Sequence, residues 1–279
     1  MDLDKKEENE ISIYNTAIMA AEKILKKIGD ASWNSRMLLK TDAFLGDDKY
    51  QKALLDKMEF FTPREELADT IAKLETMFQA SEESEELQII FCRKGRRGNP
   101  TKLFLEIYKT PYRIPFELHL IPFPDHEIFL QEKVGIVMQT QENFTYRMFP
   151  PEEYLTLAFY EIIKELELIK DMSWYHGVYE TLIREPVNGR KFWESLNQLI
   201  KDYPIPSLEK RMETLNSYQN YPYMQKRWKS YCKQKKETYP QWEEVIELSV
   251  TFLEPVFEGV LKDEVFLGDW MPQLGRYLD

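Results

Sequence analysis

The chain has 279 residues, of which 43% are hydrophobic and 30% charged, and its formal net charge at pH 7 is -11. This composition is typical of a globular protein with one large or two modest domains, and it lacks the run of about 18 apolar residues that a transmembrane helix needs. The net negative charge disfavours broad electrostatic binding to nucleic acid. The polar start "MDLDKKEENE" predicts no secretory signal, and two distant cysteines without a CxxC motif indicate free thiols. We therefore expect a cytoplasmic protein with no membrane partner.

The chain begins with an amphipathic pattern. Apolar residues recur at helical spacing over residues 8–29, so we expect one helix that stops at Gly29. The segments "SRMLLKT" and "LLDKMEFF" each predict a strand, and residues 46–54 between them predict a short helix or loop.

The segment "TPREE" has the pattern of a helix start. Thr62 precedes Pro63, which would occupy the first helical position, and Glu65 stands three residues after Thr62. This is a capping box, in which two side chains bond the free N–H groups of the first turn. We expect a helix from Pro63 to about Ala80.

Several β-rich runs follow. "LQIIFCRK" and "KLFLEIYK" flank the polar loop "GRRGNPT", which predicts a hairpin. "PFELHLIPF" alternates in the way that a half-buried strand requires, and "KVGIVMQT" and "FTYRMF" add one or two strands more. Residues 1–149 therefore predict an α+β domain with five or six strands.

The pattern changes at Pro150 and Pro151, where helical periodicity replaces alternation. Residues 150–279 predict an all-helical second domain. The expected helices lie near residues 151–168, 173–185, 189–202, 206–217, 222–236 and 240–262.

Motifs of the common catalytic classes are missing. His119, His126 and His176 do not have the spacing of a zinc site, and neither a P-loop, GxGxxG nor GxSxG occurs. The remaining candidates for a catalytic site are carboxylates on the predicted strands. Acids from neighbouring strands can hold two Mg²⁺ ions for phosphoryl or nucleotidyl transfer. The candidates are Asp56, Glu59, Glu106 and Glu117. These acids are explained equally well if one face of each strand is simply exposed to water and has no catalytic role.

Two basic segments are candidates for binding phosphate. The hairpin tip carries Arg96 and Arg97, and "YPYMQKRWKSYCKQKK" places Lys226, Arg227 and Lys229 among aromatic residues. Aromatic rings beside cations can stack bases and bind phosphates. The alternative for the second segment is a helix whose Met224, Trp228 and Tyr231 pack inward while the lysines face water. That alternative is favoured.

In order and length, these segments resemble the AbiEii/AbiGii family of nucleotidyltransferase-like toxins, known from type IV toxin–antitoxin and phage-abortive systems. "MLLKTDAFL" stands at the position of the family's glycine loop, "LDKMEFF" at its Asp-x-Asp strand, and "EEYLTLAFYEIIKELELIKDMSWY" at its helical element. The tail from "YPYMQKRW" to "FLEPV" is similar to the family's final helices. The resemblance implies a nucleotidyltransferase-like mixed β-sheet with flanking helices, followed by a helical domain.

The sequence departs from the family pattern at the positions of the family's functional residues. Thr41 and Asp42 stand where the family has glycines, and Lys57 and Glu59 stand where it has two aspartates. A phenylalanine, Phe159, occupies the position of a lysine. Lys170 and Asp171 keep the Arg-Asp element, but Trp174 replaces its second acid. Because phosphoryl transfer needs a metal fixed in place, these changes favour a site that has lost activity.

Three hypotheses follow. The first is an AbiEii-type enzyme that transfers a nucleoside monophosphate from an NTP to RNA or protein, with an antitoxin as a further partner. Its Mg²⁺ ligands would be Asp56, Glu59 and Glu117, with Glu106 as an alternative to Glu117, and its phosphate contacts Lys40, Thr41, Asp42, Lys57, Lys170 and Asp171. The second, which the departures favour, is a non-catalytic relative that binds a nucleotide or a protein. The third is an unrelated helical interaction protein.

Overall fold

The computed structural model describes residues 2–41, 45, 55–79, 86–96, 98, 100–124, 131–137, 140–235 and 239–278, and it describes side chains from residue 11 onward, except that of residue 235. These residues divide into two compact units. Unit 1 comprises the described residues up to 124 together with 131–149, and unit 2 comprises 150–278. In the described part of the chain, no helix has both the length and the apolar character required to cross a membrane.

Unit 1 contains two helices and a seven-stranded sheet with the strand order β3-β4-β5-β2-β1-β7-β6. The pairs β2–β5 and β1–β7 are parallel and the other pairs are antiparallel, which confirms the expected α+β class with a mixed sheet. The elements are α1 (Asp2–Gly29), β1 (Leu38–Leu39), β2 (Lys57–Pro63), α2 (Leu67–Gln79), β3 (Gln88–Lys94), β4 (Thr101–Lys109), β5 (Tyr112–Phe123), β6 (Gln131–Ile136) and β7 (Asn143–Met148).

Both helices of unit 1 cover the same face of the sheet. Ile24 of α1, Leu74 of α2 and Phe60 of β2 belong to one buried core. Successive side chains of a strand point to opposite faces, so the residues on either side of Phe60 point away from this core. The predicted alternation of β5 is confirmed, because Leu118 and Leu120 are fully buried in the core.

The start of α2 differs from the capping box that the sequence predicts. Pro63 is the last residue of β2, a 3₁₀ turn follows over Arg64–Glu66, and α2 begins only at Leu67. The hydroxyl of Thr62 is buried and has no hydrogen-bond partner among the described residues. Pairing of β2 with β5 continues through Pro63, and this ladder outweighs the local signal for a helix.

Unit 2 contains six helices among its described residues, close to the predicted positions. They are α3 (Pro151–Glu165), α4 (Ser173–Arg184), α5 (Gly189–Asp202), α6 (Leu208–Asn216), α7 (Pro222–Lys235) and α8 (Trp242–Lys262). Aromatic packing fills the core: the Phe252 ring lies 5.7 Å from that of Phe159 and 4.9 Å from that of Phe192. Unit 2 is not all-helical, because it also has a small antiparallel sheet of β8 (Val187–Asn188), β9 (Asp269–Met271) and β10 (Arg276–Leu278).

Candidate functional site

A group of ionisable side chains lies on the face of the unit 1 sheet opposite the helices. It is called the sheet-face cluster here. Strand register brings it together: Lys57 pairs with Glu117, and His119 pairs with both Glu59 and Lys102. Residues in register on neighbouring strands point to the same face. The members are Lys40, Lys57, Glu59, Lys102, Glu117 and His119.

His119 connects the two carboxylates of the cluster. Its Nε2 atom lies 2.6 Å from Oε2 of Glu117, and its Nδ1 atom lies 3.6 Å from Oε1 of Glu59. The side chain is buried, with 8% of its surface exposed. A histidine held between two acids has its ring orientation fixed from both sides.

Three lysines contact the two carboxylates of the cluster. Lys40 Nζ lies 3.1 Å from Oε2 of Glu59, and Lys57 Nζ lies 3.7 Å from Oε1 of the same carboxylate. Lys102 Nζ lies 3.0 Å from Oε2 of Glu117. Each of these lysine side chains is also partly exposed, so all three can contact a ligand from solvent.

The cluster holds both glutamates in the charged form. The His119 imidazole lowers the pKa of Glu59 far below its ordinary value; desolvation by burial opposes this shift, and Lys40 and Lys57 add to it. The same imidazole lowers the pKa of Glu117, with a further contribution from Lys102. A hydrogen bond to the ionised carboxylate favours that form, and at Glu59 the bond from His119, supported by the two lysine charges, outweighs desolvation.

The expected magnesium ligands do not fit a two-metal site. Such a site needs free carboxylate oxygens converging on the ions, whereas both oxygens of Glu59 and Oε2 of Glu117 already face ammonium or imidazole groups. Asp56 lies just before β2 and is exposed. In the part of the chain that the structure describes, no three His, Cys, Asp or Glu side chains are grouped to hold a metal ion.

Glu106 lies on the same face of the sheet, two residues along β4 from Phe104, which is the register partner of Glu117. Its carboxylate, however, bonds side chains outside the sheet-face cluster. Arg113 NH2 lies 2.6 Å from its Oε1, and the Tyr108 hydroxyl donates to its Oε2 at 2.6 Å. This bonding lowers the pKa of Glu106, with Arg113 as the main cause. The structure thus joins Glu59 and Glu117 through His119, whereas Glu106 bonds Arg113 and Tyr108.

The other predicted phosphate contacts are dispersed. Thr41 is exposed next to Lys40, and Asp42 lies outside the described residues. Lys170 and Asp171 belong to unit 2, where Asp171 accepts the backbone N–H of Ser173 at 2.8 Å at the start of α4. That contact gives Asp171 a structural role, and the phosphate role of Lys170 and Asp171 stays a prediction.

The predicted nucleic-acid residues divide into two groups. Arg96, Lys226 and Lys229 are exposed, whereas Arg97 lies outside the described residues. Arg227 is half-buried, and its guanidinium donates to backbone carbonyls that include Glu167 O at 2.8 Å and Ile169 O. The assignment of Arg227 to nucleic acid is therefore corrected: its donors bind the protein's own backbone. Met224 and Trp228 pack inward as the alternative predicted.

Sequence reasoning missed two members of the cluster, His119 and Lys102. The alternation of β5 placed His119 on the same face as Glu117, which was a usable signal. Lys102 gave no such signal, because its position depends on the register between β4 and β5.

Comparisons with known proteins give a limited result. No protein-family model matches the chain, and no curated protein matches it. Among solved structures, one described as a candidate nucleotidyltransferase from Helicobacter pylori matches with a TM-score of 0.40 and 10% identity, over 92% of this chain and 97% of that chain. JHP933 from Helicobacter pylori matches with a TM-score of 0.36 and 10% identity, over 92% and 95% of the two chains. Neither match assigns a role to any residue of the sheet-face cluster.

Proposed function

We propose that the chain is a non-catalytic nucleotide-binding protein whose sheet-face cluster holds the phosphate groups of a nucleoside triphosphate without a metal ion. The observation that supports this is the position of the three ammonium groups of Lys40, Lys57 and Lys102 around Glu59 and Glu117. A lysine ammonium binds phosphate as a point charge. Three such charges on one face of the sheet could together offset the negative charge of a triphosphate.

The lysines are suited to exchange partners. Lys57 and Lys102 keep 47% and 45% of their side-chain surface exposed, so each can turn from a carboxylate towards a bound phosphate. His119 stays buried between Glu59 and Glu117, and it keeps its contacts with both carboxylates when the lysines move. The remaining polar groups of the cluster thus stay paired while phosphate is bound.

The second hypothesis is an AbiEii-type toxin that transfers a nucleoside monophosphate to RNA or protein and binds an antitoxin in the cytoplasm. It is supported by the order of the sequence segments, which resembles the order in that family. The pairing of Glu59 and Glu117 with lysine and histidine counts against its Mg²⁺-dependent step, and this hypothesis is therefore the weaker of the two.

The test is titration calorimetry with ATP, GTP, CTP and UTP, once in EDTA and once in excess Mg²⁺. We expect at least one nucleotide to bind in EDTA with no gain from Mg²⁺. The double variant Lys57→Ala, Lys102→Ala should bind about tenfold more weakly or worse. The matched control is Lys73→Ala, since Lys73 lies on α2 and pairs with Asp69.

A parallel assay distinguishes the non-catalytic hypothesis from the enzyme hypothesis. The protein is incubated with each labelled NTP, Mg²⁺ or Mn²⁺ and total tRNA, beside a Glu59→Ala variant. The non-catalytic proposal predicts no label on RNA or protein. Label transfer that disappears in Glu59→Ala would instead establish the enzyme, and an absence of binding by every nucleotide would contradict both readings.

A further inference from the structure

The outward side of α7 carries a row of cationic and aromatic side chains. It consists of Tyr223, Lys226, Lys229 and Lys233 and is called the α7 basic face. At 3.6 residues per turn and 1.5 Å per residue, these four positions lie within about 120° of the helix circumference and about 15 Å of its length. All four side chains are exposed.

The three lysines of this face are available to a ligand. In the described part of the chain, none of them forms an ion pair, and the segment 221–235 contains no acidic residue. This segment belongs to a protein with a formal net charge of -11. A local row of unpaired cations on an acidic protein costs repulsion among like charges, and a polyanionic ligand relieves that repulsion.

The other side of α7 accounts for the remaining large residues. Met224 and Trp228 are buried, and Trp228 Nε1 donates to Pro240 O at 2.9 Å. Arg227 binds backbone carbonyls of unit 2. These residues therefore pack against or bond to the rest of unit 2, whereas the lysines lie on its surface.

An exposed aromatic pair adjoins the lysines. Tyr221 and Tyr223 keep 37% and 50% of their surface exposed, and their ring centroids lie 6.0 Å apart. The guanidinium carbon of Arg227 lies 5.8 Å from the Tyr223 ring centre. An exposed tyrosine ring beside lysines can stack an unpaired base, whereas the base faces of a duplex are already stacked.

We propose that the α7 basic face binds single-stranded nucleic acid. Lys226, Lys229 and Lys233 contact successive phosphates, and Tyr223 stacks on a base. This site lies within unit 2, whereas the proposed nucleotide site lies on the sheet of unit 1. The inference does not depend on the proposed nucleotide binding, because each can fail while the other holds.

The test is fluorescence anisotropy with a labelled 20-nucleotide RNA, the same sequence as DNA, and a matched duplex, at several KCl concentrations. Three phosphate contacts on a single strand predict a slope of about -2 for log K against log[salt], or a roughly 20-fold loss of affinity between 50 and 200 mM. The triple variant Lys226→Gln, Lys229→Gln, Lys233→Gln should lose about tenfold in affinity and most of this slope. The RNA and DNA arms decide which single strand is preferred.

The matched control replaces three other exposed lysines of unit 2, Lys201, Lys210 and Lys262, by glutamine. Circular dichroism and thermal unfolding check that both triple variants remain folded. Tyr223→Ala should weaken single-strand binding by about tenfold and leave any duplex binding unchanged. Equal affinities for the two triple variants would overturn the proposal. So would duplex binding as tight as single-strand binding, or poly-glutamate that competes as well as RNA.

Discussion

The Nε2 atom of His119 lies 2.6 Å from Oε2 of Glu117, two residues earlier on the same strand. The opposite ring nitrogen faces Glu59 on the neighbouring strand β2 at 3.6 Å. One buried imidazole thereby joins two acids that would otherwise repel each other across the sheet. The stability of this part of unit 1 should consequently depend on the ionisation of its carboxylates.

Replacing Glu59 by glutamine should destabilise the protein at neutral pH, by about 2 kcal/mol. The pKa of Glu59 is lowered in the folded state relative to about 4.3 in the unfolded chain. Its contribution is therefore fully present above that pH and is lost as pH falls towards the folded pKa. Urea unfolding between pH 7 and pH 3 should show the difference between wild type and Glu59→Gln shrinking below about pH 4.

The control for this experiment is Glu65→Gln, because Glu65 is exposed in the 3₁₀ turn before α2. It should change the stability by less than about 0.5 kcal/mol at every pH. A Glu59→Gln effect that is constant with pH would mean that packing, and not charge, stabilises this position.

Replacing His119 by leucine should destabilise unit 1 by about 2–3 kcal/mol, because Glu59 and Glu117 lose the group between them. Adding Glu117→Gln to His119→Leu should recover part of this loss, since one of the two facing charges is removed. Thermal or urea unfolding of the two single variants and the double variant gives the coupling energy between the positions. Strictly additive effects would contradict the coupling.

Replacing Arg227 by alanine should destabilise unit 2 by about 3 kcal/mol. Its guanidinium satisfies backbone carbonyls at the end of the 3₁₀ turn Leu166–Leu168, and these would lose a charged donor. Arg227→Lys should recover little, because an ammonium group lacks the planar fork that bonds several carbonyls at once. The neighbouring Lys226→Ala, which changes an exposed side chain, serves as the control and should be nearly neutral.

Replacing Gly29 by alanine should also destabilise unit 1, by about 1–3 kcal/mol. A Cβ atom at this position would lie 2.0 Å from the backbone oxygen of Thr145 on β7, so α1 would have to move away from the sheet. Gly98→Ala is the matched control, because the nearest atom to its added Cβ lies at 3.7 Å. Chemical unfolding of the two variants should separate them clearly; equal stabilities would show that α1 adjusts at no cost.

Most elements of the fold could be predicted from local patterns. The period of the apolar residues in α1 and the stop at Gly29 come from the chain itself, as does the hairpin of β3 and β4. Local patterns failed where a distant strand intervened, as at Pro63, which remains in the ladder with β5. They failed also at β8, β9 and β10, since these strands of two or three residues do not lie in an apolar run such as the one that marked β1.

The candidate site likewise has features that local sequence predicts and features that depend on tertiary structure. The sequence by itself determined that Lys57 and Glu59 alternate with core residues along β2, and Glu117 and His119 along β5, because side-chain direction follows from position in a strand. Only the tertiary structure decided that Glu59, Glu117 and His119 meet and that Glu106 does not, since this depends on strand order and register between segments far apart in the chain. The same is true of Arg227, whose charge is directed to carbonyls about sixty residues earlier by the packing of unit 2.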